Sequence, residues 1–179
     1  MLNYAFYVSA GINIDTSRGQ IDNLTYVTYM WRPGLTNIFP PGLLEIKYLV
    51  WWLLHYLMIF SNRAYCVLLI LDKDKTLIHR SSVFPRYFRF PFMKNNDLQI
   101  GDTFTDEKYR GKGIAAYAIQ KIVELCKVDN RKFWYIVEEN NKSSIRVIEK
   151  VGFNKIGCGE RRKKFGLQLF GSFEILTKI

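Results

Sequence analysis

Asp106-Glu107-Lys108-Tyr109-Arg110-Gly111-Lys112-Gly113-Ile114-Ala115 is the stretch from which the fold can be read. Upstream of it, Asp97 to Phe104 reads as a strand. Downstream, Gly111 to Lys127 carries Ile114, Ala115, Ala118, Ile119, Ile122, Leu125 and Cys126 on one broad face. Gln120, Lys121, Glu124 and Lys127 fall on the other, which is the period of an amphipathic helix. The quoted residues therefore join a strand to the start of a helix. Gly111 and Gly113 let the backbone turn tightly and approach a ligand closely. A helix start offers unpaired N–H groups and a positive dipole end, and Arg110 and Lys112 add full charges. This combination suits a phosphate or pyrophosphate. It is not a Walker A loop, because no Gly-Lys-Ser/Thr follows a four-residue gap, and it lacks the three-glycine dinucleotide fingerprint. Taken alone, it also fits a tight strand–helix turn with basic surface residues.

Farther along, Lys132 to Glu138 reads as a short buried strand. Asn141 to Val151 reads as a second helix with Ile145, Ile148 and Val151 inward, Asn140 or Asn141 capping its start and Gly152 ending it in the left-handed conformation. Lys155 to Cys158 and Leu167 to Thr177 close the chain as strands. The order strand, helix, strand, helix, strand, strand implies an α/β layer architecture with a parallel step in its middle.

Toward the N-terminus, Asn3 to Ser9 and Asn23 to Trp31 are strand-like, separated by a polar connector, Asp15 to Gln20. Pro40, Pro41 and Gly42 break the chain before an apolar helix, Leu43 to Phe60. Its cleanest apolar part, Tyr48 to Phe60, is shorter than the roughly 20 residues a membrane-spanning helix needs. It reads as a buried or groove-lining helix, with attachment to a membrane surface as the lesser alternative. Ala64 to Leu71 and Thr76 to Ser82 form a hairpin across Asp72 to Lys75. In Pro85 to Lys94, two prolines argue against an interior strand.

With 179 residues and 49% hydrophobic residues, one domain with a substantial core is expected. Here 1–63 would form an N-terminal, acceptor-side part and 64–179 the core. The net charge of +10, from 26 basic and 16 acidic residues, favours anionic partners without choosing among nucleic acid, anionic lipid and phosphorylated small molecules. Cys66, Cys126 and Cys158 show no zinc-type spacing and read as buried thiols in a reducing, cytoplasmic compartment. No metal is expected. No secretory leader is visible in Met1 to Gly11.

Arg110-Gly-Lys-Gly113-Ile-Ala115 resembles the cofactor motif of the GNAT N-acetyltransferases: Arg or Gln, two residues, Gly, one residue, then Gly or Ala. Asn141-Lys-Ser-Ser144-Ile-Arg-Val-Ile148-Glu-Lys150-Val-Gly152-Phe153 is similar to the same family's second motif. The two stand in the expected order with a strand between them, and the match covers about Asp97 to Phe153. The resemblance implies an α/β (α+β) fold: a central mixed, mostly antiparallel sheet, helices on both faces, and a splayed parallel strand pair holding acetyl-CoA. It implies that Arg110, Gly111, Lys112, Gly113, Ile114 and Ala115 hold the CoA pyrophosphate. Thr103, Phe104 and Thr105 would pair with the pantetheine arm, and Asn141 and Ser144 would touch the pantetheine or phosphates. An amine would attack the thioester directly, through an oxyanion that needs a donor. The family often places a tyrosine acid seven residues after the motif asparagine. Here that position is Ile148.

Candidate bases for a protonated amine are Asp102 first, then His79, then Glu138. Pro85 to Lys94 interleaves arginines with rings, and Arg86, Tyr87 and Arg89 would suit a nucleotide-linked amino sugar, dTDP- or UDP-bound. A packed connector with its arginines in water is the competing reading. The acceptor class is a small amine, with a protein or peptide amine or a non-catalytic acyl-CoA-binding module as alternatives. No nucleic acid or transmembrane partner is expected, and the aromatic surface leaves room for a homodimer. Glu160 to Lys164 reads as a solvated turn.

Overall fold

A computed structural model describes residues 3–9, 26–164 and 167–178. One mixed sheet of eight strands runs through them in the order β2-β3-β4-β5-β6-β1-β7-β8. The strands are β1 (Asn3–Ser9), β2 (Tyr26–Trp31), β3 (Cys66–Asp72), β4 (Leu77–Pro85), β5 (Leu98–Thr105), β6 (Phe133–Glu138), β7 (Asn154–Lys164) and β8 (Leu167–Lys178). The helices are α1 (Ile46–Tyr56), α2 (Ile114–Cys126) and α3 (Lys142–Lys150). Of the expected connector and second strand, residues 15–20 and 23–25 lie outside the described residues.

The sheet is covered on both faces. Cys66, Leu68 and Ile70 of β3 join Leu98, Ile100 and Phe133 in a core with Ile114, Ala118, Ile119 and Ile122 of α2 and Ile148 of α3. The alternate residues Val67 and Leu69 join Trp31, Tyr48, Tyr65, Phe84 and Trp134 in a second core on the α1 face. An unbroken apolar run in β3 is what a strand with two covered faces requires. The β3–β4 hairpin forms as expected, and its turn is held by Asp72, whose side chain accepts the N–H groups of Asp74 and Thr76 at 2.9 and 2.8 Å.

Two expectations need correction. The apolar helix covers Ile46–Tyr56 rather than 43–60, and only Tyr48 and His55 are buried on it. Its outer face leaves Ile46, Val50 and Leu53 exposed. Among the described residues, no helix is long and apolar enough to cross a membrane. Glu160 to Lys164 is not a turn but the second half of β7. Its charges find partners: Arg162 pairs with Glu160 on its own strand at 2.9 Å and with Glu174 across on β8 at 3.1 Å, and Arg161 lies over the Phe173 ring. The segment after Pro85 is a packed cover, in which Phe92 meets Phe6 and Trp134 while Phe90 stacks on Phe173.

β1, from the start of the chain, lies between β6 and β7 and pairs antiparallel with both. β8 then closes onto the outer edge of β7, and the two glycines of β7 make that approach fit. A Cβ on Gly157 would run into the Thr177 carbonyl, and one on Gly159 into the Glu174 carbonyl and the Phe6 ring. Gly159→Val is therefore expected to lower stability by about 1–3 kcal/mol through overpacking. A urea midpoint equal to that of the wild type would contradict this register.

Candidate active site

β5 and β6 run parallel and pair through Leu98–Phe133, Gln99–Trp134 and Ile100–Tyr135, and no pairing follows. The strands part from Gly101 onward. The cause lies in β5 itself. Between the pairs Ser82–Gly101 and Arg80–Phe104, β4 contributes one residue, Ser81, against two on β5, Asp102 and Thr103. This is a β-bulge, which bends the strand that carries the extra residue. Asp102 takes φ 47°, the left-handed region that aspartate tolerates better than most residues.

The bulge is locked on the α1 face by a closed ring of ion pairs. Lys47 lies 2.9 Å from Asp102 and 2.9 Å from Glu45, while Arg80 lies 3.0 Å from Glu45 and 3.4 Å from Asp102. The first turn of α1 is thereby tied to β4 and β5. Tyr48 adds its hydroxyl to Asp102 at 3.4 Å. Burial raises the Tyr48 pKa, and the Asp102 carboxylate pushes it further up. Both Asp102 oxygens are thus engaged. Glu138 ends β6 on the same face and, among the described residues, forms no ion pair. Its charge helps raise the pKa of Tyr4, after burial.

At the open end of the parted strands, Asp106 caps the short 3₁₀ turn Glu107–Tyr109. Arg110 then donates to the Thr105 carbonyl at 3.2 Å and to Glu107 at 3.1 Å. Gly111 and Gly113 both take positive φ, 79° and 78°, with nothing within 4 Å of the place a Cβ would occupy. The first α2 hydrogen bond runs from the Tyr117 N–H to the Gly113 carbonyl. The N–H groups before it have no helical acceptor, no side chain caps them, and no acid stands in the first turn. Open space, unmet donors and Lys112 fit a pyrophosphate.

Asn141 turns its side chain inward on its own helix, accepting from the Ser144 N–H at 3.1 Å as the cap of α3 and from the Ser143 hydroxyl at 2.9 Å. Burial raises the Tyr135 pKa, and the nearby hydroxyls of Thr103 and Ser144 offset part of that rise. Thr103 accepts from Ser81 at 3.2 Å, Ser81 meets His79 Nε2 at 2.9 Å, and His79 Nδ1 meets Thr105 at 2.7 Å. A string of hydroxyls and one imidazole thus runs along the α2 face of the parted strands. His79 is fully buried. Burial, aided by the Arg80 charge, lowers its pKa from 6.5 to about 3, so the ring is neutral at any ordinary pH. The candidate bases are divided by the sheet: Asp102 and Glu138 border the α1 face, and His79 lies within the hydroxyl string on the other. Ile148, at the position where the family often has its tyrosine, is fully buried in the core.

Tyr87 is buried among Phe60, Phe88 and Phe90. Arg86 donates to Asn95 at 2.9 Å and lines a cleft of about 350 Å³ with Phe88, Asn95 and Ser61. The Arg89 guanidinium lies over the Tyr87 ring. Sequence reasoning missed Tyr135, Ser81 and Lys47. The only sign of the first was a tyrosine inside an apolar strand.

The Acetyltransferase (GNAT) family model matches residues 29–153, and the chain belongs to that family. A GNAT-family acetyltransferase from Colwellia psychrerythraea is 14% identical with a TM-score of 0.54, over 87% of this chain and 53% of that one. A Drosophila protein is 13% identical with a TM-score of 0.55, over 88% and 48%. A tandem GNAT protein from the clavulanic acid biosynthesis pathway is 12% identical with a TM-score of 0.55, over 87% and 50%. The chain spans about half the length of these three structures, and at such identities the likeness concerns the fold. No curated protein matches the sequence.

The buried imidazole fixes a pH response. In the unfolded chain His79 takes up a proton below its ordinary 6.5, whereas in the folded protein it does so only near 3. Stability is therefore full above pH 6.5 and falls as the pH drops, by about 2 kcal/mol at pH 5 from this group. His79→Gln should flatten that slope in denaturant titrations at pH 7 and pH 5. An equal slope in both proteins would show that His79 titrates normally when folded.

Proposed function

We propose that the chain is an acetyl-CoA-dependent N-acetyltransferase acting on a small amine. The parted β5–β6 pair, which leads to uncapped helix N–H groups at Gly111 to Ala115, carries this reading. The pyrophosphate would lie on Arg110, Gly111, Lys112, Gly113, Ile114 and Ala115. The unpaired edge of Thr103, Phe104 and Thr105 would receive the pantetheine amides, with Ser144 facing it from α3. Asn141 would serve that site indirectly, by capping α3. Acetyl-CoA supplies an activated acyl carbon, and the protein's part is to bind it, exclude water and manage protons.

The amine would enter from the α1 face, where both half-buried carboxylates stand. Glu138 is the better base of the two, because the oxygens of Asp102 already face Lys47, Arg80 and Tyr48. Asp102 would instead hold the bulge and the start of α1. For the acceptor, a nucleotide-linked amino sugar is supported by Arg86, Arg89 and the cleft beside them. Stacking there would fall to Phe88, 42% exposed, since the Tyr87 ring is core. The buried thiols Cys66 and Cys126 support a reducing, cytoplasmic setting.

Release of free CoA thiol across a panel of amines tests the reading. The panel holds dTDP- and UDP-linked amino sugars, the free sugars, polyamines, aminoglycosides and basic peptides. Turnover with a nucleotide sugar and not with its free sugar is expected, and silence across the panel would contradict the transferase reading. Glu138→Gln should lower kcat by about 10²-fold with CoA affinity intact. An unchanged kcat would remove Glu138 as base.

A further inference from the structure

The outer ridge of α1 has no polar residue. At 3.6 residues per turn, Ile46, Val50, Leu53 and Leu57 fall within about 60° of one another and form one line along the helix. All four are exposed, Ile46 to 74% and Leu57 to 66%. The ridge lies opposite Tyr48 and His55, the two residues by which the helix is buried. Leu44 before the helix and Met58 and Ile59 after it are exposed as well. A surface helix of a protein that stands alone turns charged and polar residues outward. Contiguous apolar patches above roughly a few hundred Å² mark contact with something else.

The charges around this ridge have one sign. From Tyr26 to Leu71 the sequence holds one acid, Glu45, and it is engaged by Lys47 at 2.9 Å and Arg80 at 3.0 Å. Pro85 to Asn96 holds no acid. Exposed cations of the same segments stand at the rim. Arg63 donates to the Met58 sulfur at 3.2 Å. Ser61 and Asn62 both donate to the Asn95 carbonyl, at 2.7 and 2.8 Å, which brings Lys94 beside the chain leaving the ridge. Trp52 Nε1 donates to the Gly34 carbonyl at 2.9 Å, which brings the segment of Arg32 to the flank of the helix. Trp52 and Tyr56, in ring contact at 4.7 Å, are half-buried on that flank. Rings with one apolar and one polar end settle at a membrane–water boundary. A second copy of the chain would set the same positive excess against itself, whereas lipid phosphates complement it.

We propose that α1 lays the protein on an anionic lipid surface. Ile46, Val50, Leu53 and Leu57 enter the boundary between headgroups and acyl chains, and Arg32, Arg63 and Lys94 meet lipid phosphates. The helix has 11 residues and is about 16 Å long, half the roughly 30 Å of a hydrocarbon layer. It therefore lies in the surface and does not span it. Its first turn stays tied to β4 and β5 through Glu45 and Lys47, so docking holds the parted strands at a fixed depth beside the lipid. The ridge is remote from the glycine turn, and the proposal stands whether or not the chain transfers acetyl groups.

Sedimentation of the full chain with phosphatidylcholine vesicles, with and without phosphatidylglycerol, tests this. The wild type should pellet with the mixed vesicles, only weakly with phosphatidylcholine alone, and less as salt is added. Leu53→Ser combined with Leu57→Ser should lower the partition coefficient on mixed vesicles by about tenfold or more. Arg63→Gln, which removes one cation from the rim, should lower it by about fivefold and leave the weak binding to phosphatidylcholine as it was. The replaced side chains are exposed, so both variants should keep the thermal midpoint of the wild type. Wild type left in the supernatant with every vesicle would overturn the proposal. Equal pelleting of the wild type and the double variant would do the same, because binding would then come from basic surface elsewhere. Light scattering without lipid decides against a second copy as the occupant: a wild-type dimer that the double variant converts to monomer would assign the ridge to that copy and overturn the proposal.

Discussion

Two parallel strands, β5 and β6, hold together over three residue pairs and then separate because one extra residue in β5 cannot be matched on β4. That extra residue sits at Asp102, in a left-handed conformation. A bulge of this kind turns the strand and leaves backbone groups without a ladder partner. In a sheet covered on both faces, unpaired backbone is costly unless something else meets it. The ring of Glu45, Lys47, Arg80 and Asp102 holds the bulge from one face, and the string from Thr103 through Ser81 and His79 to Thr105 lines it from the other. The same parting leads straight to the Gly111–Gly113 turn and the open start of α2.

The two faces divide the chemistry between them. Carboxylates and a cleft lined by Arg86 and Phe88 lie on the α1 side. Hydroxyls and a neutral imidazole lie on the α2 side, with no exposed charge among them.

The glycine turn, α2 and α3 were legible in the sequence because their signals are local. Helical periodicity, Asn141 as cap and Gly152 as terminator each act within one turn of chain. The place of β1 was not legible. Asn3 to Ser9 reads as a strand, but nothing within seven residues specifies that β6 and β7 will be its neighbours. The charged end of β7 was misread for a related reason: Arg161 and Arg162 look solvated until β8 brings Phe173 opposite Arg161 and Glu174 within reach of Arg162. At the site, the type of residue was readable and its surroundings were not. His79 had the chemistry of a base in the sequence, and burial in the sheet removed its charge. Tyr135 sat within the apolar run Phe133 to Val137, where its hydroxyl carried no local mark. Ile148 was visible as a departure from the family pattern, and only the fold shows that its side chain is fully buried.

The central claim is that the parted strands and the turn after them receive acetyl-CoA. Amide hydrogen exchange with and without CoA tests it directly. The account predicts added protection at Gly111 to Ala115, where helix N–H groups gain acceptors, and at Thr103 to Thr105, where the free edge of β5 gains a partner. Protection confined to other segments, or none at saturating CoA, would contradict it.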